Sequence, residues 1–94
     1  GYHNDYTLNH EQRHFDLVKI AAKHFEQKLR EATLPVTNYD GVLNVQFYES
    51  FREMNRLQKQ YDAETEHGLN LVQQEIWNKR IDLDLNALGI KQNS

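Results

Sequence analysis

Two long segments with apolar residues at helical spacing, separated by the only proline, constrain the fold more than any other feature. Between His10 and about Thr33 the sequence contains neither glycine nor proline. Within it, apolar residues recur mainly at steps of three and four, at Phe15, Val18, Ala21, Ala22, Phe25, Leu29 and Ala32. At about 100° per residue they occupy an arc of roughly 120°. We therefore predict an amphipathic helix over residues 9–33, with Asn9 as its N-cap.

A second apolar stripe follows the proline. Its members are Phe47, Phe51, Met54, Leu57, Tyr61, Val72 and Ile76, with Thr65 and Gly68 in the same phase. Because the phase is kept throughout, we predict one helix over residues 45–80, capped by Asn44. Glycine costs about 1 kcal/mol relative to alanine inside a helix, so a kink or break near Gly68 is the alternative. Pro35 and the turn residues after it predict a loop over 34–44.

The two ends of the chain have weaker patterns. Residues 1–8 have no periodicity and are expected to form an irregular arm. Asp84 and Gly89 suit the start and stop of a short third helix over residues 84–89. The fold class predicted for the single domain, residues 1–94, is all-α: an antiparallel helical hairpin with a short third helix. The longer helix would be partly uncovered, so we expect oligomerisation into a helical bundle, with a homodimer favoured.

Composition excludes several kinds of partner. The net charge is −3 with both signs interspersed, which argues against nucleic-acid binding. The mean hydropathy is −0.88 and the apolar runs are short, so we expect no membrane segment. Cysteine is absent, which excludes thiolate metal sites and leaves the localisation unknown. The chain begins at Gly1 rather than Met, as an excised domain or a tag remnant would, so a longer parent protein stays open.

The stretch NHEQRH, residues 9–14, contains the H-E-x-x-H spacing of zinc peptidases. On a helix His10 and His14 share one face and could donate ring nitrogens to zinc, with Glu11 as general base on the bound water. The variable positions are polar, no strands flank the motif, and no third ligand stands at the metzincin spacing. A glutamate from elsewhere in the chain could still complete the site. Because the surroundings of the motif are unlike those of a zinc peptidase, the favoured interpretation is a helix start without metal, and a zinc site is the alternative.

Four residues are predicted to contact a partner. Leu17 and Ile20 lie off the main stripe of the first helix, and Tyr48 and Trp77 lie off that of the second. Aromatic residues on a surface are enriched at interfaces. Packing of Tyr48 and Trp77 against the C-terminal segment is the alternative. Inside the bundle we expect Phe47, Phe51, Met54 and Tyr61.

The sequence as a whole favours a non-catalytic helical module for protein–protein interaction or oligomerisation, with a structural or regulatory role. We expect no enzyme activity, no cofactor and no small-molecule substrate, since the sequence has no phosphate-binding loop and no nucleophile motif. Two alternatives stay open. One is a small zinc-binding protein or zinc-dependent hydrolase that uses residues 10–14, and the other is a small regulator from a phage or mobile element.

Overall fold

The chain folds into three helices. The computed structural model describes residues 5–32 and 39–90, and in these ranges it contains α1 (Asp5–Glu31), α2 (Tyr39–Thr65) and α3 (Leu71–Ala87). No strand occurs in these ranges, so the predicted all-α class is confirmed. None of the three described helices combines the length and apolar content that crossing a bilayer requires. Residues 1–4 of the predicted arm, residue 33 at the end of the predicted first helix, and residues 34–38 of the predicted loop lie outside the described ranges.

The helices are arranged as an antiparallel hairpin with the third helix laid along it. At one end of the hairpin Lys28 lies 3.8 Å from Glu53, and at the other end His10 lies 3.1 Å from Asp62. Contacts between α1 and α3 advance in the same direction along both helices, which are therefore parallel. The molecule measures 53 × 24 × 24 Å, about the length of one such helix and its flanking turns.

The expected continuous helix over 45–80 requires correction, because α2 ends at Thr65. Glu66, His67 and Gly68 all have positive φ, at 51°, 57° and 93°. This left-handed conformation ends a helix, and Gly68 adopts it more easily than other residues. The chain then turns back, and the side-chain oxygen of Asn70 accepts from the backbone N–H of Gln73 at 3.0 Å to cap α3.

The helix boundaries also differ from those expected. The third helix spans 17 residues instead of the predicted 84–89, and Asp84 lies inside it. Helices α1 and α2 begin about four to six residues earlier than predicted, so Asn9 and Asn44 lie inside helices and cap neither. Asp5 and Asp40 stand in the first turns instead, where a carboxylate interacts favourably with the helix dipole.

The core lies along the contact of α3 with the hairpin. The buried apolar residues are Leu17, Ile20, Tyr61, Trp77, Ile81 and Leu85. Residues Leu17 and Ile20 were expected to form the weaker apolar edge of α1, and they are buried because α3 packs on that edge. The indole N–H of Trp77 donates to Oε1 of Glu64 at 3.0 Å, so its polar group is also satisfied.

The stronger stripe of the hairpin stays largely exposed. Phe15 is 65% exposed, Phe47 55% and Phe51 46%, although their spacing predicted a core. Phe47 and Phe51 line an open apolar groove of about 220 Å³ between α1 and α2, together with Val18 and Met54. The spacing of apolar residues predicted which faces of the helices are apolar. The packing of α3 determined which of these faces is buried in the core.

Arg13 joins α1 to α3 through an ion-pair network. Its Nη1 lies 2.6 Å from Oδ1 of Asp82 and 3.2 Å from Oδ2 of Asp16, which is itself 6% exposed. Burial lowers the pKa of Arg13, but the hydrogen bonds and charges of Asp82 and Asp16 outweigh it and raise the pKa above its usual value. The guanidinium therefore stays charged and fixes α3 in register beside the second turn of α1.

Candidate metal centre

The H-E-x-x-H sequence lies in the second turn of α1 rather than at a helix start. His10 is 4% exposed and His14 is partly buried. Residues four apart share one face of a helix, and the two imidazole rings meet edge to face with centroids 4.9 Å apart. Both rings point into the contact with α2, where water has limited access.

Asp62 of α2 brings a carboxylate to this pair of histidines. Its Oδ1 lies 3.1 Å from Nε2 of His10 and 2.7 Å from Nε2 of His14. The ligand atoms of the three residues lie within 4.8 Å of one another. Two ligands of a tetrahedral zinc ion stand about 3.3 Å apart, so shifts of less than about 1 Å would give that spacing. The donor set of two imidazoles and one carboxylate is one that zinc accepts.

The imidazole of His10 is oriented by α3 through Nδ1, the ring nitrogen that does not face Asp62. The side-chain N–H groups of Gln74 donate to the hydroxyl of Tyr61 at 2.8 Å and to Oδ1 of Asn78 at 3.0 Å. The amide oxygen of Gln74 must therefore accept, and Nδ1–H of His10 donates to it at 2.9 Å. The proton is held on Nδ1, and in the neutral ring the lone pair of Nε2 faces Asp62.

His14 is oriented in the same way by α2. The side-chain N–H of Gln58 donates to the backbone oxygen of His14 at 3.1 Å, so its amide oxygen faces the ring and accepts from Nδ1–H of His14. In the neutral ring Nε2 again carries the lone pair. When both rings are neutral, two nitrogen lone pairs and a carboxylate oxygen face one another, an arrangement that a cation stabilises.

Tyr61 forms the floor of the cluster. It is fully buried, stacks on His10 with centroids 4.8 Å apart, and meets His14 edge to face at 4.8 Å. Its hydroxyl donates to the backbone oxygen of His10 at 2.9 Å. Burial raises the pKa of Tyr61 to about 12, more than its hydrogen bond with Gln74 lowers it. Tyr61 therefore stays neutral and acts as a positioning residue.

The turn after α2 closes the other side of His10. A Cβ added to Gly68 would lie 3.0 Å from Cγ of His10 and 3.1 Å from its Cβ. A Cβ there would press on the ring more closely than an ordinary van der Waals contact, and the positive φ of Gly68 also favours glycine. The imidazole of His10 is thus fixed between Tyr61, Gln74 and the turn.

Comparison with known protein families gives a match over much of the chain. The family described as "Bacterial protein of unknown function (DUF922)" matches residues 4–68, which is more than half of the sequence. The chain belongs to the DUF922 family. The matched range contains the whole cluster of His10, His14 and Asp62, whereas α3 of this DUF922 member lies beyond it. No curated protein and no solved structure matches the chain.

The structure brings some of the predicted site residues of this DUF922 member together. His10 and His14 meet, and Glu11 is exposed one position along the same helix turn. The zinc alternative left a glutamate from elsewhere in the chain open as a third ligand; the carboxylate near the two histidines is that of Asp62, which sequence reasoning missed. The only feature of the sequence that could have indicated Asp62 is its position directly after Tyr61, which belongs to the apolar stripe of the second helix.

The four predicted contact residues are divided between core and surface. Leu17, Ile20 and Trp77 are 5%, 3% and 2% exposed and pack inside the chain. Trp77 follows the alternative of ordinary packing, because α3 turns its ring onto Tyr61 at a centroid distance of 5.3 Å. Tyr48 is 66% exposed and stays available to a partner.

Proposed function

We propose that this DUF922 member is a metal-dependent hydrolase with zinc bound by His10, His14 and Asp62. The supporting observation is the pair of imidazoles whose Nδ1–H groups are fixed by Gln58 and Gln74. With Nδ1 protonated, both Nε2 atoms are prepared as metal ligands before any ion binds. In the absence of metal, protonated rings could donate their Nε2–H groups to Asp62, and a bound zinc ion would take the place of those protons.

The proposed chemistry is hydrolysis of an amide or ester bond. A zinc ion with three protein ligands leaves a fourth position for water and lowers the pKa of that water to about 7. Glu11 is the general base, since it follows the first ligand directly and its side chain is exposed to an incoming substrate. It takes one proton from water, the hydroxyl adds to the acyl carbon, and Glu11 returns the proton to the leaving group. Tyr61 and the two glutamines hold the imidazoles in place and touch no substrate.

The first experiment measures metal binding. The chain is stripped with EDTA, titrated with Zn²⁺ by calorimetry, and compared with the variants His14→Ala and His24→Ala. We expect one zinc per chain, loss of binding in His14→Ala, and unchanged binding in His24→Ala, because His24 lies on α1 outside the cluster. A wild-type chain that binds no stoichiometric zinc would refute the proposal.

The second experiment tests catalysis with a mixture of quenched fluorescent peptides and a chromogenic ester. Replacing Glu11→Gln should leave zinc affinity nearly unchanged and lower turnover by about 10²- to 10⁴-fold, because only the proton transfer is lost. Glu31→Gln is the matched control, an exposed glutamate at the far end of the same helix. Zinc binding without any turnover in the wild type would reduce the proposal to a zinc-binding protein.

A second candidate function is self-association through the exposed apolar residues of the hairpin. Val18, Phe47 and Phe51 are exposed and line the groove, and exposed apolar patches of this kind commonly mark interaction sites. A second copy of the chain is the partner we propose. Light scattering over a concentration series should give a dimer that Phe51→Glu dissociates and Leu83→Glu does not, since Leu83 is 69% exposed on α3. A monomer mass of 11.2 kDa at every concentration would contradict it.

A further inference from the structure

His67 lies beside the proposed metal ligands although it belongs to a turn. Its Nδ1 stands 3.9 Å from Oδ1 of Asp62, the same oxygen that faces His10 and His14. The side chain of His67 is 81% exposed, so its imidazole is free to rotate about its own bonds. A rotation that shortens this distance would bring Nδ1 of His67 closer to the oxygen that the two other imidazoles also face.

The backbone under His67 is held in an uncommon conformation. Glu66 and His67 both have left-handed φ values, which residues other than glycine seldom adopt in succession. The backbone N–H of His67 donates to the oxygen of Asp62 at 2.9 Å, and that of Asn70 donates to the oxygen of Thr65 at 2.8 Å. These bonds tie the turn to the last turn of α2, directly behind Asp62.

Close packing against His10 explains why the turn is shaped in this way. Gly68 approaches the His10 ring so closely that a Cβ would stand 3.0 Å from it. Backbone strain that persists next to a site of this kind suggests a functional role for the residue it presents. The residue presented here is His67.

An ion pair with Asp62 is a weaker explanation of this placement. The 3.9 Å separation is too long for a hydrogen bond, and an ion pair this exposed stabilises a protein very little. The ion pair alone therefore does not account for an imidazole at this position. Imidazole nitrogen is also among the ligands that zinc, cobalt and copper prefer.

We propose that His67 is a fourth protein ligand of the metal bound by His10, His14 and Asp62. This inference rests on the function proposed above. Rotation of its side chain brings an imidazole nitrogen onto the ion and closes the coordination position that water would occupy. A site with four protein ligands is closed, and one with three is open to water. Release of His67 when substrate arrives therefore converts the site from a resting to an active form.

The test compares Co²⁺ and Zn²⁺ binding in wild type, His67→Asn and His24→Asn. Asparagine tolerates left-handed φ, so His67→Asn removes the imidazole and leaves the turn intact, which thermal unfolding of the metal-free proteins verifies. We expect His67→Asn to bind Zn²⁺ at least about tenfold more weakly and to change the visible absorption spectrum of bound Co²⁺, because a nitrogen ligand is lost. His24→Asn should match the wild type in both measurements.

The outcomes separate this inference from the proposed function. If His67→Asn keeps the wild-type zinc affinity and Co²⁺ spectrum while His14→Ala loses binding, His67 is not a ligand and the three-residue site stands. If the wild type itself binds neither ion, the proposed function fails and this inference fails with it. A His67→Asn variant with weaker binding and faster turnover at saturating zinc would support the closed resting form in particular.

Discussion

Replacing Gly68 by alanine tests the close contact between the turn and His10. The added methyl group meets two separate costs. Alanine at a φ of +93° is strained by about 1–2 kcal/mol. A Cβ standing 3.0 Å from Cγ of His10 forces the ring or the turn to move, and overpacking of this kind costs about 1–3 kcal/mol. We therefore expect Gly68→Ala to lower the free energy of unfolding by about 2–5 kcal/mol.

The second glycine of left-handed conformation supplies the control. Gly89 has a φ of +70° and no heavy atom within 4 Å of an added Cβ, so Gly89→Ala meets only the conformational cost of about 1–2 kcal/mol. Urea unfolding followed by circular dichroism gives both free energies, and zinc titration shows whether His10 has moved. Equal losses in the two variants, with unchanged zinc affinity in Gly68→Ala, would refute the contact with His10.

Two further predictions concern buried hydroxyl groups. Tyr61 has a pKa raised to about 12 against about 10 when unfolded, so the unfolded chain loses its proton first and stability falls as pH rises from 10 to 12. Tyr61→Phe should abolish that part of the fall in unfolding experiments over this pH range, and an unchanged slope would contradict the argument. The Oγ of Ser50 is buried without a hydrogen-bond partner, so Ser50→Ala should change the unfolding free energy by less than about 0.5 kcal/mol or stabilise the protein. The control is Thr65→Ala, whose Oγ1 donates to the backbone oxygen of Tyr61 at 2.7 Å and whose loss should cost about 1 kcal/mol or more.

The helical fold was readable from the sequence because its cause is local. Apolar spacing and the lack of glycine over His10 to Thr33 describe one helix regardless of what packs on it. The break near Gly68 was recognised only as an alternative, because the apolar phase continues across it. Two preceding residues in left-handed conformation, Glu66 and His67, carry no compositional signal of a turn.

Only part of the candidate metal cluster could be predicted from the sequence, for a related reason. The spacing of His10 and His14 is a property of one helix, so the sequence displays it directly. Asp62 lies 48 residues beyond His14 and reaches it only through the register of the hairpin. The sequence also did not indicate that Leu17 and Ile20, expected to contact a partner, would pack with α3 in the core. Long-range ligands of this kind require the tertiary structure.

The hydrogen bond between Gln74 and His10 would make the third helix a participant in the proposed metal binding. Gln74 belongs to α3, so undocking α3 removes the acceptor that fixes the Nδ1 proton of His10. The two events are then thermodynamically linked: whatever factor α3 adds to the zinc affinity, bound zinc adds to the docking of α3. A tenfold effect corresponds to about 1.4 kcal/mol in either direction. Zinc would thus stabilise a helix that contributes no ligand, and hydrogen exchange along α3 would report occupancy of the site.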